Sequence, residues 1–164
     1  MDTSSLFSLA GRTALITGGS RGIGLMIAKG FIAQGAKVYI SSRKADVCDA
    51  VAAELGDQCV SLPADVSTVE GCRGLAAAYS EKESKLDILV NNAGAAWGAD
   101  FETFPESGWD KVMDLNVKSL FFLTQALHGP LKAAASAAQP GKVINIASID
   151  GLRINPWEIG RAHV

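Results

Sequence analysis

The sequence has little of what marks a secreted, membrane or nucleic-acid-binding protein. Its 164 residues contain three cysteines, an odd number without a Cys-x-x-Cys pair, so we expect reduced thiols rather than a disulfide framework. No run of 18 apolar residues occurs, and residues 1–10 lack the basic and apolar segments of a signal peptide. The net charge is −2 and no run of lysine and arginine stands out. We therefore expect a cytoplasmic protein with no nucleic-acid or membrane partner and no metal.

Strands and helices are predicted to alternate along a single domain. Apolar runs predict strands at 13–16, 36–40, 58–62, 86–90 and 142–147, the last of them buried on both faces. Apolar residues at helical spacing predict helices after residue 22, over 45–55, after a capping box at Ser67–Glu70, and over 107 to about 135 with a kink at Pro130. This order predicts an α/β fold, an open parallel sheet with helices on both faces and ligands at the carboxyl ends of its strands.

A glycine-rich turn, Thr17-Gly18-Gly19-Ser20-Arg21-Gly22-Ile23-Gly24, joins the first strand to the first helix. Glycine permits the positive φ of a sharp turn and lets a pyrophosphate approach the helix N-terminus, where free N–H groups and the helix dipole attract it. The spacing differs from the usual G-x-G-x-x-G fingerprint, so the turn alone leaves a plain left-handed turn as the alternative.

Four further motifs follow predicted strands or lie in the long helix: Asp65-Val66, Asn91-Asn92-Ala93-Gly94, Asn116 and Ser148. Together with the glycine turn, they resemble the short-chain dehydrogenase/reductase family over residues 9–152, and 3-oxoacyl reductases in particular. The resemblance implies a three-layer Rossmann-type doubly wound sheet, of which this chain would hold about five strands and lack the last ones. It also implies carbonyl reduction with a nicotinamide cofactor, a small-molecule carbonyl or alcohol substrate, and the homo-oligomeric state usual in the family.

In that family the glycine turn binds the cofactor pyrophosphate, the residue matching Asp65 hydrogen-bonds the adenine amino group, and the Asn-Asn-Ala-Gly segment lies beside the adenosine ribose and supports the sheet. Ser148 would polarise the substrate carbonyl, and Asn116 would interrupt its helix and hold a water in the proton relay. We expect cofactor contacts from the following residues: Gly18, Ser20, Arg21, Gly22, Ile23, Gly24, Ser42, Arg43, Asp65, Val66, Asn92, Ala93 and Gly94.

The charge at the end of the second strand favours NADP(H). An NAD site places a carboxylate on the ribose hydroxyls there, roughly 20 residues after the glycines. This chain has Ser41-Ser42-Arg43-Lys44 instead, and Arg21 lies inside the glycine turn. Guanidinium groups bind phosphate through paired charge-assisted hydrogen bonds, so we expect Arg21 and Arg43 to hold a 2′-phosphate. The alternative is that both are solvated surface charges.

The Tyr-x-x-x-Lys pair that completes the family's chemistry is absent from the 164 residues. It should follow Ser148 by roughly a dozen residues, where Ile159–Val164 stands. Neither tyrosine replaces it, since Tyr39 lies in the second predicted strand and Tyr79 is followed four positions on by Glu83. We expect 1–156 to be a partial NADP(H)-binding domain and 157–164 an unrelated tail, leaving the last strand as an exposed apolar edge and the protein prone to aggregation. Three hypotheses follow: the cofactor-binding part of a reductase, a non-catalytic NADP(H)-binding protein, or an inactive fragment.

Overall fold

The computed structural model describes residues 6–148 and the backbone of Glu158–Ile159. The described residues form seven strands: β1 (Thr13–Thr17), β2 (Lys37–Ser41), β3 (Cys59–Ser61), β4 (Ile88–Asn91), β5 (Trp97–Gly98), β6 (Lys142–Asn145) and β7 (Glu158–Ile159). Five of them form one parallel sheet in the order β3-β2-β1-β4-β6. The chain leaves β1 towards β2 on one side and reaches β4 on the other, so a crevice opens between the carboxyl ends of β1 and β4.

Helices connect these strands on both faces of the sheet. They are α1 (Gly22–Ala33), α2 (Ala45–Leu55), α3 (Val69–Ser80), α4 (Glu106–Met113), a π-helical segment (Asp114–Lys118), α5 (Ser119–Ala126) and α6 (His128–Ala134), with a short 3-10 turn at Phe101–Thr103. The predicted three-layer α/β fold is therefore confirmed. None of the helices in the described ranges is long and apolar enough to cross a bilayer.

Alternating residues of the central strands build two separate cores. Ala14 and Ile16 of β1 pack in a cluster with Ala28 of α1 and Ala52 of α2, whereas Leu15 packs on the opposite face. That second cluster contains residues of α3, α5 and α6, among them Leu75, Tyr79, Leu123 and Leu131. The period of two in side-chain direction thus assigns each helix to one face of the sheet. The three cysteines, Cys48, Cys59 and Cys72, are buried and form no disulfide.

The apolar run at 142–147 predicted a strand buried on both faces, and that prediction is wrong; the second expectation, an exposed apolar edge, agrees with the described residues. All four residues of β6 are exposed, with Val143 at 42% and Ile144 at 38%. Within the described residues β6 pairs only with β4, so it forms the edge of the sheet and nothing covers its outer side. An apolar run shows that a strand is suited to burial. Whether the strand is in fact buried depends on the elements that pack beside it.

The predicted single helix over 107–135 is divided. The π-helical segment Asp114–Lys118 interrupts its first half, and Leu127, with φ −92° and ψ 4°, separates α5 from α6. Pro130 is the third residue of α6, where backbone N–H groups have no intrahelical acceptor, so the proline fits a helix start instead of producing a kink.

The capping-box pattern predicted Ser67 as the N-cap of α3, and that prediction is wrong: the N-cap is Thr68. Thr68 Oγ1 accepts the backbone N–H of Gly71 at 3.0 Å. Ser67 instead donates both its backbone N–H and its hydroxyl to Asp65 Oδ1, at 3.0 and 2.7 Å. The Ser67 hydroxyl could bond either the first turn of α3 or a neighbouring side chain. The turn after β3 brings the carboxylate of Asp65 nearer, so the hydroxyl bonds that carboxylate.

Ion pairs close the amino-terminal edge of the sheet. Asp87, just before β4, accepts from the Arg12 guanidinium at 2.7 Å and from the Thr13 backbone N–H at 2.9 Å. Beside it, Glu83 accepts from Lys37 Nζ at 2.8 Å and from the Tyr39 hydroxyl at 2.7 Å. Burial alone would raise the pKa of Asp87, but the hydrogen bonds from Thr13 and Arg12 outweigh it and hold that pKa below its ordinary value.

We expect Asp87→Asn to lower the free energy of unfolding by about 1–3 kcal/mol at pH 7, because Arg12 and Thr13 lose a charged acceptor. A carboxylate with a lowered pKa stabilises the fold above its unfolded pKa of about 3.9, and this contribution disappears as the pH falls through the folded value. Chemical denaturation of both proteins from pH 7 to pH 3 should therefore show curves that converge in acid. Exposed Asp57→Asn is the control; a constant difference at every pH would contradict the charged role of Asp87.

Candidate functional site

The glycine turn after β1 has the conformation that its sequence predicts. Gly18 and Gly22 have φ of +66° and +54°, a region that side chains with a Cβ rarely adopt. Gly24 is required for a different reason, since a Cβ there would lie 2.3 Å from the Gly18 carbonyl oxygen and 2.5 Å from Asn92 Nδ2. The missing side chain lets the first turn of α1 pack directly on the loops, so its free N–H groups face the crevice.

The hydroxyl of Thr17 joins this turn to the loop after β4. Thr17 Oγ1 accepts the backbone N–H groups of Asn92 and Ala93, both at 3.0 Å, and donates to the Val90 carbonyl at 3.4 Å. Asn92 Nδ2 returns a hydrogen bond to the Thr17 carbonyl at 2.9 Å and another to the Gly18 carbonyl at 3.3 Å. The sequence pattern predicted no role for Thr17, although its position at the end of a buried strand next to Gly18 was an available signal.

A cavity of about 430 Å³ lies at the carboxyl ends of β1, β2, β3 and β4. Of the residues predicted to contact the cofactor, all except Gly24 line it. The lining consists of Thr17, Gly18, Ser20, Arg21, Gly22, Ile23, Ser41, Ser42, Arg43, Ala64, Asp65, Val66, Asn92, Ala93, Gly94 and Leu115. Four lining residues were not predicted: Thr17 and Ser41 end strands β1 and β2, Ala64 lies in the loop after β3, and Leu115 lies in the π-helical segment. Their place in the cavity depends on how these elements meet in space, which the sequence does not reveal.

The charges in this cavity are predominantly positive. Arg21 and Arg43 both line it and both are exposed, and the salt bridges found in the described part of the chain involve neither. Asp65 is the one carboxylate among the described lining residues. Ser67 donates two hydrogen bonds to Asp65 Oδ1 and so fixes the orientation of this carboxylate. The carboxylate lies in the loop after β3 and not at the end of β2. The end of β2 therefore offers cations and hydroxyls to a ligand.

Asp65 and Val66 are held in place by the start of α3. A Cβ at Gly71 would lie only 1.7 Å from the Asp65 carbonyl oxygen, so α3 can approach this segment only because position 71 is glycine. Cys72 Sγ donates to the Val66 carbonyl at 3.3 Å. Burial first, and then the charge of Asp65, raise the pKa of Cys72 to about 11, so it is a neutral thiol near pH 7.

Asn116 lies in the π-helical segment and is 4% exposed. Its Oδ1 accepts the Ala95 backbone N–H and its Nδ2 donates to the Ala95 carbonyl, both at 2.8 Å. Asn116 also lines a second cavity of about 140 Å³, together with Asn91, Ala93, Leu120, Asn145, Ile146 and Ala147. Ala93 lines both cavities, so the two adjoin at the loop after β4.

Ser148 follows Ala147 of the second cavity but lines neither cavity in the part of the chain that the structure describes. The two tyrosines lie in the core: Tyr39 donates to Glu83, Tyr79 donates to the Lys85 carbonyl at 2.7 Å, and their rings meet edge to face at 4.9 Å. Burial raises the pKa of both phenols. Residues 160–164, where the Tyr-x-x-x-Lys pair was expected, lie outside the described residues, as does most of the predicted tail.

Comparison with known proteins decides the family. A family model described as short chain dehydrogenase matches residues 12–160. The chain belongs to the short-chain dehydrogenase family. That membership agrees with the parallel sheet, the glycine turn and the loop after β4 described above, and residues 12–160 include every predicted site residue.

Relatives within the family include reductases that are longer than this chain. The rhamnolipids biosynthesis 3-oxoacyl-[acyl-carrier-protein] reductase of Pseudomonas aeruginosa is 54% identical over 149 residues, covering 89% of this chain and 58% of the relative. Among solved structures, the NADP active-site complex of Pseudomonas aeruginosa RhlG has a TM-score of 0.87 at 53% identity, covering 91% of this chain and 59% of the other.

A further solved relative is the 3-ketoacyl-(acyl-carrier-protein) reductase of Brucella melitensis complexed with NADH. It has a TM-score of 0.84 at 34% identity, and the match covers 91% of this chain and 62% of that structure. The chain thus spans about three fifths of the length of the relatives that it matches.

We expect Thr17→Val to lower the free energy of unfolding by about 1–3 kcal/mol, because the buried N–H of Asn92 and the part-buried N–H of Ala93 lose their acceptor while the side-chain shape is kept. Thr17→Ser is the matched variant, since it keeps the hydroxyl and removes only a methyl group. Urea denaturation of the three proteins tests this expectation. If the serine variant were destabilised as much as the valine variant, the methyl group and not the hydroxyl would be the stabilising feature.

Proposed function

We propose that the larger cavity binds NADP(H) and that this chain carries the cofactor-binding part of an NADPH-dependent carbonyl reductase. The observation that carries the proposal is the pair of guanidinium groups, Arg21 and Arg43, lining the cavity beside the end of β2 without a carboxylate there. A ribose 2′-phosphate carries the opposite charge and matches the planar fork of a guanidinium, whereas the 2′-hydroxyl of NAD(H) gains nothing from either cation.

The residues present fit such a cofactor. Gly18 and Gly22 bring bare backbone to the N-terminus of α1, and a Cβ at Gly22 would meet no protein atom within 4 Å, which leaves open space beside the turn. First-turn N–H groups and the helix dipole would bind the pyrophosphate there. Asp65 would accept from the adenine amino group through its second carboxylate oxygen, and residues 92–94 would contact the adenosine ribose.

Membership of the family does not by itself distinguish NADP(H) from NAD(H), so the preference rests on the charges at the end of β2. The Pseudomonas aeruginosa relative was solved with NADP and the Brucella melitensis relative with NADH. The more similar of these two relatives is the NADP complex, at 53% against 34% identity. Both this similarity and the charges at the end of β2 support NADP(H).

When bound, NADPH supplies the hydride that reduces a substrate carbonyl to an alcohol. The proton and the stabilisation of the developing oxyanion must come from protein groups. We assign to Ser148 the hydrogen bond to the carbonyl oxygen, and to Asn116 the ordering of the loop at Ala95 and of a water beside the second cavity. The proton donor of the family, a tyrosine, has no equivalent among the residues that line either cavity.

The substrate class that we favour is a ketone or a 3-oxoacyl compound, on the similarity to the Pseudomonas aeruginosa reductase. With it we propose a cytoplasmic location, a small-molecule substrate, homo-oligomerisation and a partial cofactor-binding domain over 1–156, although the family model matches four residues further, to 160. The alternative function is NADP(H) binding without catalysis, or an inactive fragment. These alternatives apply to the 164 residues taken alone, which lack the Tyr-x-x-x-Lys pair.

We expect Arg43→Gln to weaken NADPH binding by about 10- to 100-fold and to leave NADH binding nearly unchanged, because only the 2′-phosphate needs the cation. Isothermal titration with NADPH, NADH, 2′-AMP and 5′-AMP measures this, and 2′-AMP isolates the phosphate contact. Arg73→Gln, an exposed residue of α3 that does not line the cavity, is the control for net charge. Equal loss of NADH affinity would contradict the 2′-phosphate assignment, and binding of neither cofactor by the unmodified chain would leave only the fragment.

We also expect no turnover of a generic diketone by the 164-residue chain with NADPH, because no tyrosine is placed to donate the proton. Absorbance at the NADPH band, followed with a complete family reductase as positive control, measures this. Turnover would show that another group supplies the proton. The intact mass of the endogenous protein, compared with 17.1 kDa, then separates a longer reductase from a non-catalytic binding protein.

A further inference from the structure

The chain after β4 is attached to the helical region 106–118 at two points. At one, the Ala95 backbone exchanges two hydrogen bonds of 2.8 Å with the carboxamide of Asn116. At the other, the indole ring of Trp97 lies directly against Gly108 of α4. The first attachment belongs to the site described above, whereas neither Trp97 nor Gly108 lines either cavity.

The contact at Gly108 leaves no room for a side chain. A Cβ at this position would lie 2.8 Å from Trp97 Cδ1 and 2.9 Å from both Cγ and Nε1, well inside van der Waals distance. Gly108 is buried and helical, and a glycine inside a helix is unfavourable unless close approach requires it. One turn later, Lys111 Nζ lies 4.9 Å from the Trp97 ring centroid, a cation–π contact that holds the ring on the helix. We call Trp97, Gly108 and Lys111 the Trp97 clamp.

We infer that Trp97 and Gly108 are positioning residues for Asn116. The helix α4 continues without a break into the π-helical segment, so a ring seated on Gly108 fixes where that segment lies along the loop. The carboxamide of Asn116 then meets both backbone groups of Ala95. Residues 93–94, which directly precede Ala95, line the larger cavity, so the Trp97 clamp also holds the wall between the two cavities.

Amide hydrogen exchange, followed by NMR, tests the inference without any ligand. We expect Gly108→Ala to displace the indole and to speed exchange at the Ala95 amide by about tenfold or more, because its hydrogen bond to Asn116 opens locally. The side-chain NH₂ signals of Asn116 should shift at the same time. Gly74→Ala in α3 is the matched control, since a Cβ there meets nothing within 4 Å. Exchange at the Val38 amide, in the core strand β2, reports global opening.

A second substitution identifies the cause. Trp97→Leu removes the ring that the new methyl group would meet, so in this background Gly108→Ala should change Ala95 exchange no more than Gly74→Ala does. Trp97→Leu alone should itself speed exchange at Ala95. The inference is wrong if Gly108→Ala leaves Ala95 exchange unchanged, if its effect persists without the indole, or if Val38 exchange accelerates equally.

The consequence for ligand binding rests on the proposed function. We expect Gly108→Ala to weaken NADPH binding by about tenfold, and Gly74→Ala to leave it unchanged. Failure of the unmodified chain to bind NADPH would contradict the proposed function, and the exchange data would still decide the positioning role. NADPH binding that is unchanged in Gly108→Ala, although Ala95 exchange accelerates, would overturn the part of the inference that concerns the wall between the cavities.

Discussion

The hydrogen bonds of Thr17 are the contact on which the site depends. At the point where β1 and β4 part, one hydroxyl accepts two backbone N–H groups from the loop after β4, and the Asn92 carboxamide reaches back to the carbonyls of Thr17 and Gly18. Gly24 fits against the same atoms only because it has no Cβ. The glycine turn, the first turn of α1 and the loop after β4 therefore share one set of contacts and can shift only together.

The two edges of the sheet use charge in opposite ways. At the amino edge, Arg12 and Lys37 are neutralised by Asp87 and Glu83, and the hydrogen bonds keep both carboxylates ionised. At the carboxyl edge, Arg21 and Arg43 line an open cavity. The paired charges at the amino edge join the starts of neighbouring strands, whereas the exposed cations at the carboxyl edge would attract an anionic ligand.

Much of the fold could be predicted from local pattern. Buried strands such as β1 and β4 were recognisable as short apolar runs, and glycines mark the turn where positive φ is needed. Two of the wrong predictions concern choices between local alternatives: Thr68 rather than Ser67 as the N-cap, and a break at Leu127 rather than a kink at Pro130. In each case the competing conformations are close in energy, and packing of the surrounding elements selects one.

The sequence by itself determined the order of elements, the glycine positions and the sign of the charge after β2, because these follow from residue type and from spacing of a few residues. Only the tertiary structure decided which loops meet, since contacts such as Asn92 with Thr17 and Asn116 with Ala95 join residues far apart in the chain. It also decided that β6 is exposed in the described sheet and that Gly108 receives the ring of Trp97. Burial and close approach depend on two surfaces that meet, and a local sequence pattern describes only one of these surfaces.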